Sequence, residues 1–219
     1  MYSSAGTLLG TLDVNPKADA TKATLSGTLT GSLSEGQSLT LLFPRSTWDY
    51  SAQNGKLTGE SSIEKLFDYA RADVTVNSID GSNLLVNGPA TFANQQSIYR
   101  FGFKYNSAAI NVKKAILSSN QDKLVAAYDF VTPANTTYGP ITLTLPSATS
   151  DLVYAAIKNE NTTEDDTFSF TVYDNDGITY QGSKVFPAAA LSRNFVSAKN
   201  VALDRLDLAE IATTVSEVL

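Results

Sequence analysis

The chain has 219 residues, 42% of them hydrophobic and 17% charged, a net charge of −6, and neither cysteine nor histidine. An acidic balance without a basic run argues against a phosphate-backbone partner. The two missing residue types remove thiol nucleophiles, disulfides, the usual zinc sites and the one side chain that titrates unaided near neutral pH. No apolar run reaches the ~18 residues of a bilayer-spanning helix, and MYSSAGTLLG has neither a basic start nor a long apolar stretch, so no signal peptide is expected and an exported protein would have had its address trimmed.

Along the chain, period-two alternation dominates. TLLGTLDV (7–14) reads as a first strand, followed by the polar loop NPKADATK. In KATLSGTLTGSL (22–33), Ala23, Leu25, Leu29 and Leu33 share a face with Gly27 and Gly31, while Thr24, Ser26, Thr28, Thr30 and Ser32 take the other, as in a half-buried strand. SLTLLF (38–43) is the next strand. WDYSAQNGKL (48–57) then carries the only tryptophan into Asn54-Gly55, a tight-turn signal. SSIEKLFDYA (61–70) predicts a short helix, with Ser61 and Glu64 as a capping box and Ile63, Leu66, Phe67 and Ala70 at helical spacing.

Further strands are expected at 70–78, 97–105, 141–145, 151–158 and 167–174, separated by Asp80-Gly81, Asn87-Gly88-Pro89, Tyr138-Gly139-Pro140 and Asp176-Gly177. The fold class is all-β with at most one or two short helices, in the layout of sandwiches. The Asn87-Gly88-Pro89 break divides the chain into domains at 1–88 and 89–219.

Chemical sites are sparse. Asp174-Asn175-Asp176-Gly177 resembles the start of a calcium loop but has no bidentate Glu at the required distance, which favours a hairpin turn. Glu160, Glu164, Asp165 and Asp166 supply enough carboxylates for a glycosidase pair, but KNENTTEDDT offers no apolar walls to push two pKa values apart, so a solvated loop is expected. No serine or lysine stands in a nucleophile motif. The expectation is a non-enzyme with no cofactor and no metal. Asn135-Thr136-Thr137 and Asn161-Thr162-Thr163 match the glycosylation acceptor and mark loops. Trp48 and Tyr50, with Tyr69 and Tyr99, are the candidate ligand stackers of a sugar-binding module. The competing expectation is that Trp48 plugs the core of the first sandwich.

WDYSAQNGKL, then KLFDYARADVTV, then ATFANQQSIYRFGFKY leading into VKKAIL, resembles the fimbrillin-like families of the major and minor fimbriae of Bacteroidales, most strongly over residues 39–130. The resemblance implies two tandem transthyretin-like β-sandwiches, with the Trp/Tyr-x-x-Gln-x-Gly element between strands of the first. It implies an exported protein of the outer membrane surface, anchored to the membrane only through a lipidated cysteine absent from this sequence. It further implies assembly with itself or other fimbrial subunits by strand exchange, after a protease cuts the loop behind the first strand. Carried onto this chain, the strand removed would be TLLGTLDV, the processing loop would offer Lys17 and Lys22 where the family usually has Arg, and NVALDRLDLAEIATTVSEVL would be the donor. A non-polymerising adhesin for a glycan or host protein is the alternative.

Overall fold

A computed structural model describes residues 1–18, 22–158, 164–188 and 196–205. The architecture is all-β and of sandwich type. The chain opens with β1 (Tyr2–Ser3), β2 (Asp13–Pro16), β3 (Ala23–Ser26) and β4 (Ser38–Phe43). Next come β5 (Thr47–Asp49), β6 (Ala52–Gln53) and α1 (Ile63–Leu66), before β7 (Ala70–Asp80), β8 (Asn83–Val86) and β9 (Ala93–Asn94). Then follow β10 (Ser97–Tyr105), β11 (Ala108–Ala109), β12 (Val112–Ser119), β13 (Val125–Asp129), β14 (Thr137–Tyr138), β15 (Ile141–Thr149), β16 (Val153–Ile157), β17 (Asp166–Asp174), β18 (Thr179–Phe186) and β19 (Val196–Arg205).

The predicted helix shrinks to one turn. Its N-cap is Ser62 and not the expected Ser61, which sits before the helix at a left-handed φ of 55°, and the Ser62 side chain makes no capping bond. Ile63 and Phe67 are buried, and beyond them the chain extends into β7.

The chain divides into two compact units. Unit 1 is Met1–Thr47, Tyr69–Asn94 and Asp129–Ala134, and unit 2 is Trp48–Asp68, Gln95–Tyr128 and Asn135–Leu219. They are not successive halves. The break read at residues 88/89 falls inside unit 1, where it turns the chain from β8 to β9 and both pair with β7.

In unit 1 the sheet β1-β4-β7-β8, with β9 also on β7, presents Leu39 and Leu41 beside Ala72, Val74 and Val76. Alternation along β4 and β7 puts these on one face. Leu9 completes the buried cluster, and Leu12, Leu25, Leu29 and Leu33 pack against it, so the face read from 22–33 is the one that meets the core. Even partial burial of such side chains is a main source of stability here, since a fully buried one contributes about 1.5–3 kcal/mol.

Unit 2 holds a nine-stranded sheet, order β11-β10-β19-β18-β17-β12-β15-β6, with β16 sharing with β11 the edge of β10 opposite β19. β18 meets β19 by only two residue pairs, Tyr180↔Arg205 and Gln181↔Asp204. There the sheet folds back on itself, so that Phe101 of β10 meets Phe170 of β17 edge-on at 5.1 Å. Tyr99, Phe103, Phe168 and Phe186 extend this aromatic core. Burial pushes the Tyr99 phenol well above its usual pKa. β19 runs parallel to β10 from Ile98↔Val196 to Tyr105↔Leu203, with Val201 and Leu203 buried. The first residues of the expected donor segment are thus an interior strand of the chain's own sheet, and residues 206–219 lie outside the described ones.

Candidate functional site

Two places collect the residues singled out by sequence. The first is the segment 48–55. Trp48 is 2% exposed and Tyr50 is fully buried. Trp48 on β5 stacks on Tyr128 of β13 at 5.0 Å, and the Lys158 ammonium lies 5.1 Å from the other ring's centroid, that of Tyr128. The Tyr50 hydroxyl is 3.4 Å from Gln96 Oε1, within reach as donor.

Gln53 holds the segment in place. Its Nε2 donates to the carbonyls of Tyr50 (2.9 Å) and Ala156 (2.8 Å), and its Oε1 accepts the Ala156 N–H (2.8 Å). A side-chain amide thus completes the backbone pairing of β16, and being only 5% exposed it does so out of water. Gly55 has φ 71°, and a Cβ there would stand 2.9 Å from Val153 Cγ1, so glycine is required on both counts. Asn54 Oδ1 caps the turn by accepting the Lys56 N–H.

These contacts overturn two expectations. Trp48 is a plug, but of unit 2 and not of a first sandwich, because Gln53, the Thr142–Ser51 bond and the Tyr154–Gly55 bond tie the segment to β15 and β16. Trp48, Tyr50, Tyr69 and Tyr99 are all buried, so none offers a stacking platform at the surface.

The carboxylates disperse. Asp174 Oδ1 accepts the N–H groups of Asp176 and Ile178, which makes the Asp-Gly segment a hairpin turn between β17 and β18. Asp165 accepts the Ala188 N–H. Asp166 departs from the solvated loop expected for it: it is 1% exposed and accepts the Ser119 hydroxyl at 2.6 Å. Glu164 is exposed, and Glu160 and Asn161 lie outside the described residues. Among the described residues no group of three or more acidic side chains gathers as a metal site would require.

The second place is the ribbon built from the first strand and its successor. β2 and β3 pair antiparallel from Asp13↔Ser26 to Pro16↔Ala23, and among the described residues this two-stranded sheet has no third strand. The same register continues outward to Lys17, whose N–H donates to the Lys22 carbonyl, and inward to Thr30, whose N–H donates to the Leu9 carbonyl at 2.7 Å. Gly10 and Gly27 let the strands close: a Cβ on Gly10 would meet the Thr28 carbonyl at 2.4 Å.

The inner part of the ribbon rests on the unit 1 core through Leu9, Leu12, Leu25 and Leu29. The outer part is solvated on both faces, with Val14 51% exposed and Lys17 and Lys22 exposed at the hairpin end. Sequence reasoning placed the loop and both lysines there. It missed Gln53, whose signal was one amide beside an Asn-Gly turn, and it missed the Thr40–Asp73–Arg71 array on the other face of the unit 1 sheet. In that array Asp73 accepts from Thr40 (2.6 Å) and from two Arg71 nitrogens. Partial burial opposes ionisation of Asp73, but the hydrogen bonds and the guanidinium charge together hold its pKa below the usual value.

Compared with protein-family models and with curated proteins, the chain matches none.

Proposed function

We propose that the chain is a structural or adhesive subunit of the bacterial cell surface, of fimbrial type, that joins neighbours by exchanging strands and carries out no chemistry of its own. The observation that supports this is the ribbon. The segment 7–14 covers one side of the unit 1 core through Leu9 and Leu12, and the loop behind it presents Lys17 and Lys22 to solvent. Removing that segment after a cut in the loop would uncover part of the cluster formed by Leu39, Leu41, Ala72, Val74 and Val76, leaving a groove that a partner's extended strand can fill. By resemblance, the site of action is the outer membrane surface, reached by export and held by a lipid anchor upstream. The buried positions of Trp48 and Tyr50 give the glycan-binding alternative no support.

Limited digestion with a lysine-specific protease tests the reading. The first cut is expected at Lys17 or Lys22, and the trimmed protein, freed of its first strand, is expected to assemble into species that grow with concentration. Trimmed protein that remains a monomer in analytical ultracentrifugation over a wide concentration range refutes strand exchange.

A further inference from the structure

The two outer edges of the ribbon are not alike, and the difference identifies a second interaction surface that does not depend on any cut. In an antiparallel pair, residues alternate between turning their backbone N–H and C=O toward the partner strand and turning them away. Lys17 bonds Lys22, and Leu9 bonds Thr30 in the same register, so the odd-numbered residues of the first strand and the even-numbered residues of the second face inward. Ala23, Leu25 and Gly27 therefore direct their N–H and C=O groups away from the ribbon, along an edge that no other strand pairs among the described residues.

On the first strand the outward positions include Pro16, which has no N–H, and the strand carries charged Asp13 with Lys17 next to it. Proline and charge are the usual means of keeping an edge from pairing. The second strand is bordered by Lys22 but has neither proline nor charge within it. From residue 23 to residue 34 the sequence ATLSGTLTGSLS is uncharged, in a chain whose net charge is −6. Thr24, Ser26 and Thr28 are exposed on its outer face.

We propose that this edge pairs with the same edge of a second copy of the chain, forming an antiparallel four-stranded sheet about a two-fold axis. The copy is the occupant that fits, because a strand laid antiparallel to itself is self-complementary and matched uncharged segments meet without like-charge repulsion. The interface is small, main-chain hydrogen bonds flanked by hydroxyl side chains, and so belongs to the weak, concentration-dependent class.

The test uses the intact chain. Between about 1 µM and about 1 mM, the range in which small interfaces form, the weight-average mass in sedimentation equilibrium should climb from 23.4 kDa toward twice that value. Over the same range the amides of Ala23, Leu25 and Gly27 should exchange about tenfold more slowly, while those of Thr24 and Ser26, already bonded within the ribbon, should not change. Ala23→Pro, which repeats on this edge what Pro16 does on the other, should keep the protein monomeric. Thr24→Lys with Thr28→Lys should do the same without touching the backbone, and carries the test if the proline variant fails to fold. Thr11→Lys, on the first strand, should associate like the parent. A mass that stays at one chain throughout, unchanged exchange at Ala23, Leu25 and Gly27, or undiminished dimers in the lysine variant would each overturn the proposal.

Discussion

The ribbon and the 48–55 segment are both short pieces of chain added to a larger sheet, and they are attached in opposite ways. The 48–55 segment is fastened by directional bonds in a dry setting: three hydrogen bonds of Gln53, a tryptophan stacked on Tyr128, and a glycine pressed against Val153. The ribbon is fastened at its inner end by apolar contact and by two bonds to the chain start, the Leu9 N–H to the Met1 carbonyl and the Met1 ammonium to the Gly10 carbonyl, and its outer end has water on both faces. Buried polar bonds are costly to leave half-made, whereas a solvated strand can separate and re-pair with its backbone satisfied by water at each step. One attachment is therefore buried and directional along its length, while the other is so only at its inner end.

Substitutions sharpen or break that contrast. Trp48→Ala should have the largest effect, destabilising unit 2 by about 3–5 kcal/mol in urea unfolding followed by circular dichroism. Gln53→Ala follows at about 3 kcal/mol, because the Ala156 N–H and C=O lose their partners in the interior. A loss under about 0.5 kcal/mol would mean the segment is not held by that amide.

Asp73→Asn probes unit 1 through pH. The folded-state pKa of Asp73 is depressed, so its contribution is complete above the ordinary carboxylate range and is lost as pH falls through the folded value. Its side chain is 58% exposed, so the difference between parent and variant should stay under about 1 kcal/mol at pH 7 and vanish in acid. An equal difference at both pH values would place the effect in packing and not in charge. Val14→Thr, on the solvated end of the ribbon, should change stability least, by under about 0.5 kcal/mol.

Much of the fold was legible because strand alternation is local. β4 and β10 occupy the predicted residues, and β7 and β17 differ by one or two. β18 was missed because TYQGSKVF breaks alternation, its Gly182 passing so close to β19 that a Cβ would meet the Ala202 carbonyl at 2.4 Å. The role of 48–55 was half legible: an Asn-Gly turn is a local signal, but which sheet Gln53 serves depends on Ala156, 103 residues away. Asp166 was misread for a related reason. Its neighbours in sequence are polar, whereas its partner, Ser119, comes from another strand. The ribbon was predicted as two strands over 7–14 and 22–33 because both alternate, but regular pairing is confined to Asp13–Pro16 and Ala23–Ser26, and nothing local shows which edges stay unpaired.

The way the chain threads its two units has a practical corollary for anyone who edits the gene. Residues 48–68 leave the first unit to complete the second, and residues 129–134 return to the first. A fragment ending at residue 88 would carry the Trp48 plug without the strands that enclose it, and would lack β9 and the 129–134 return. No single truncation point yields either unit whole, so excising one requires a rewired or permuted chain.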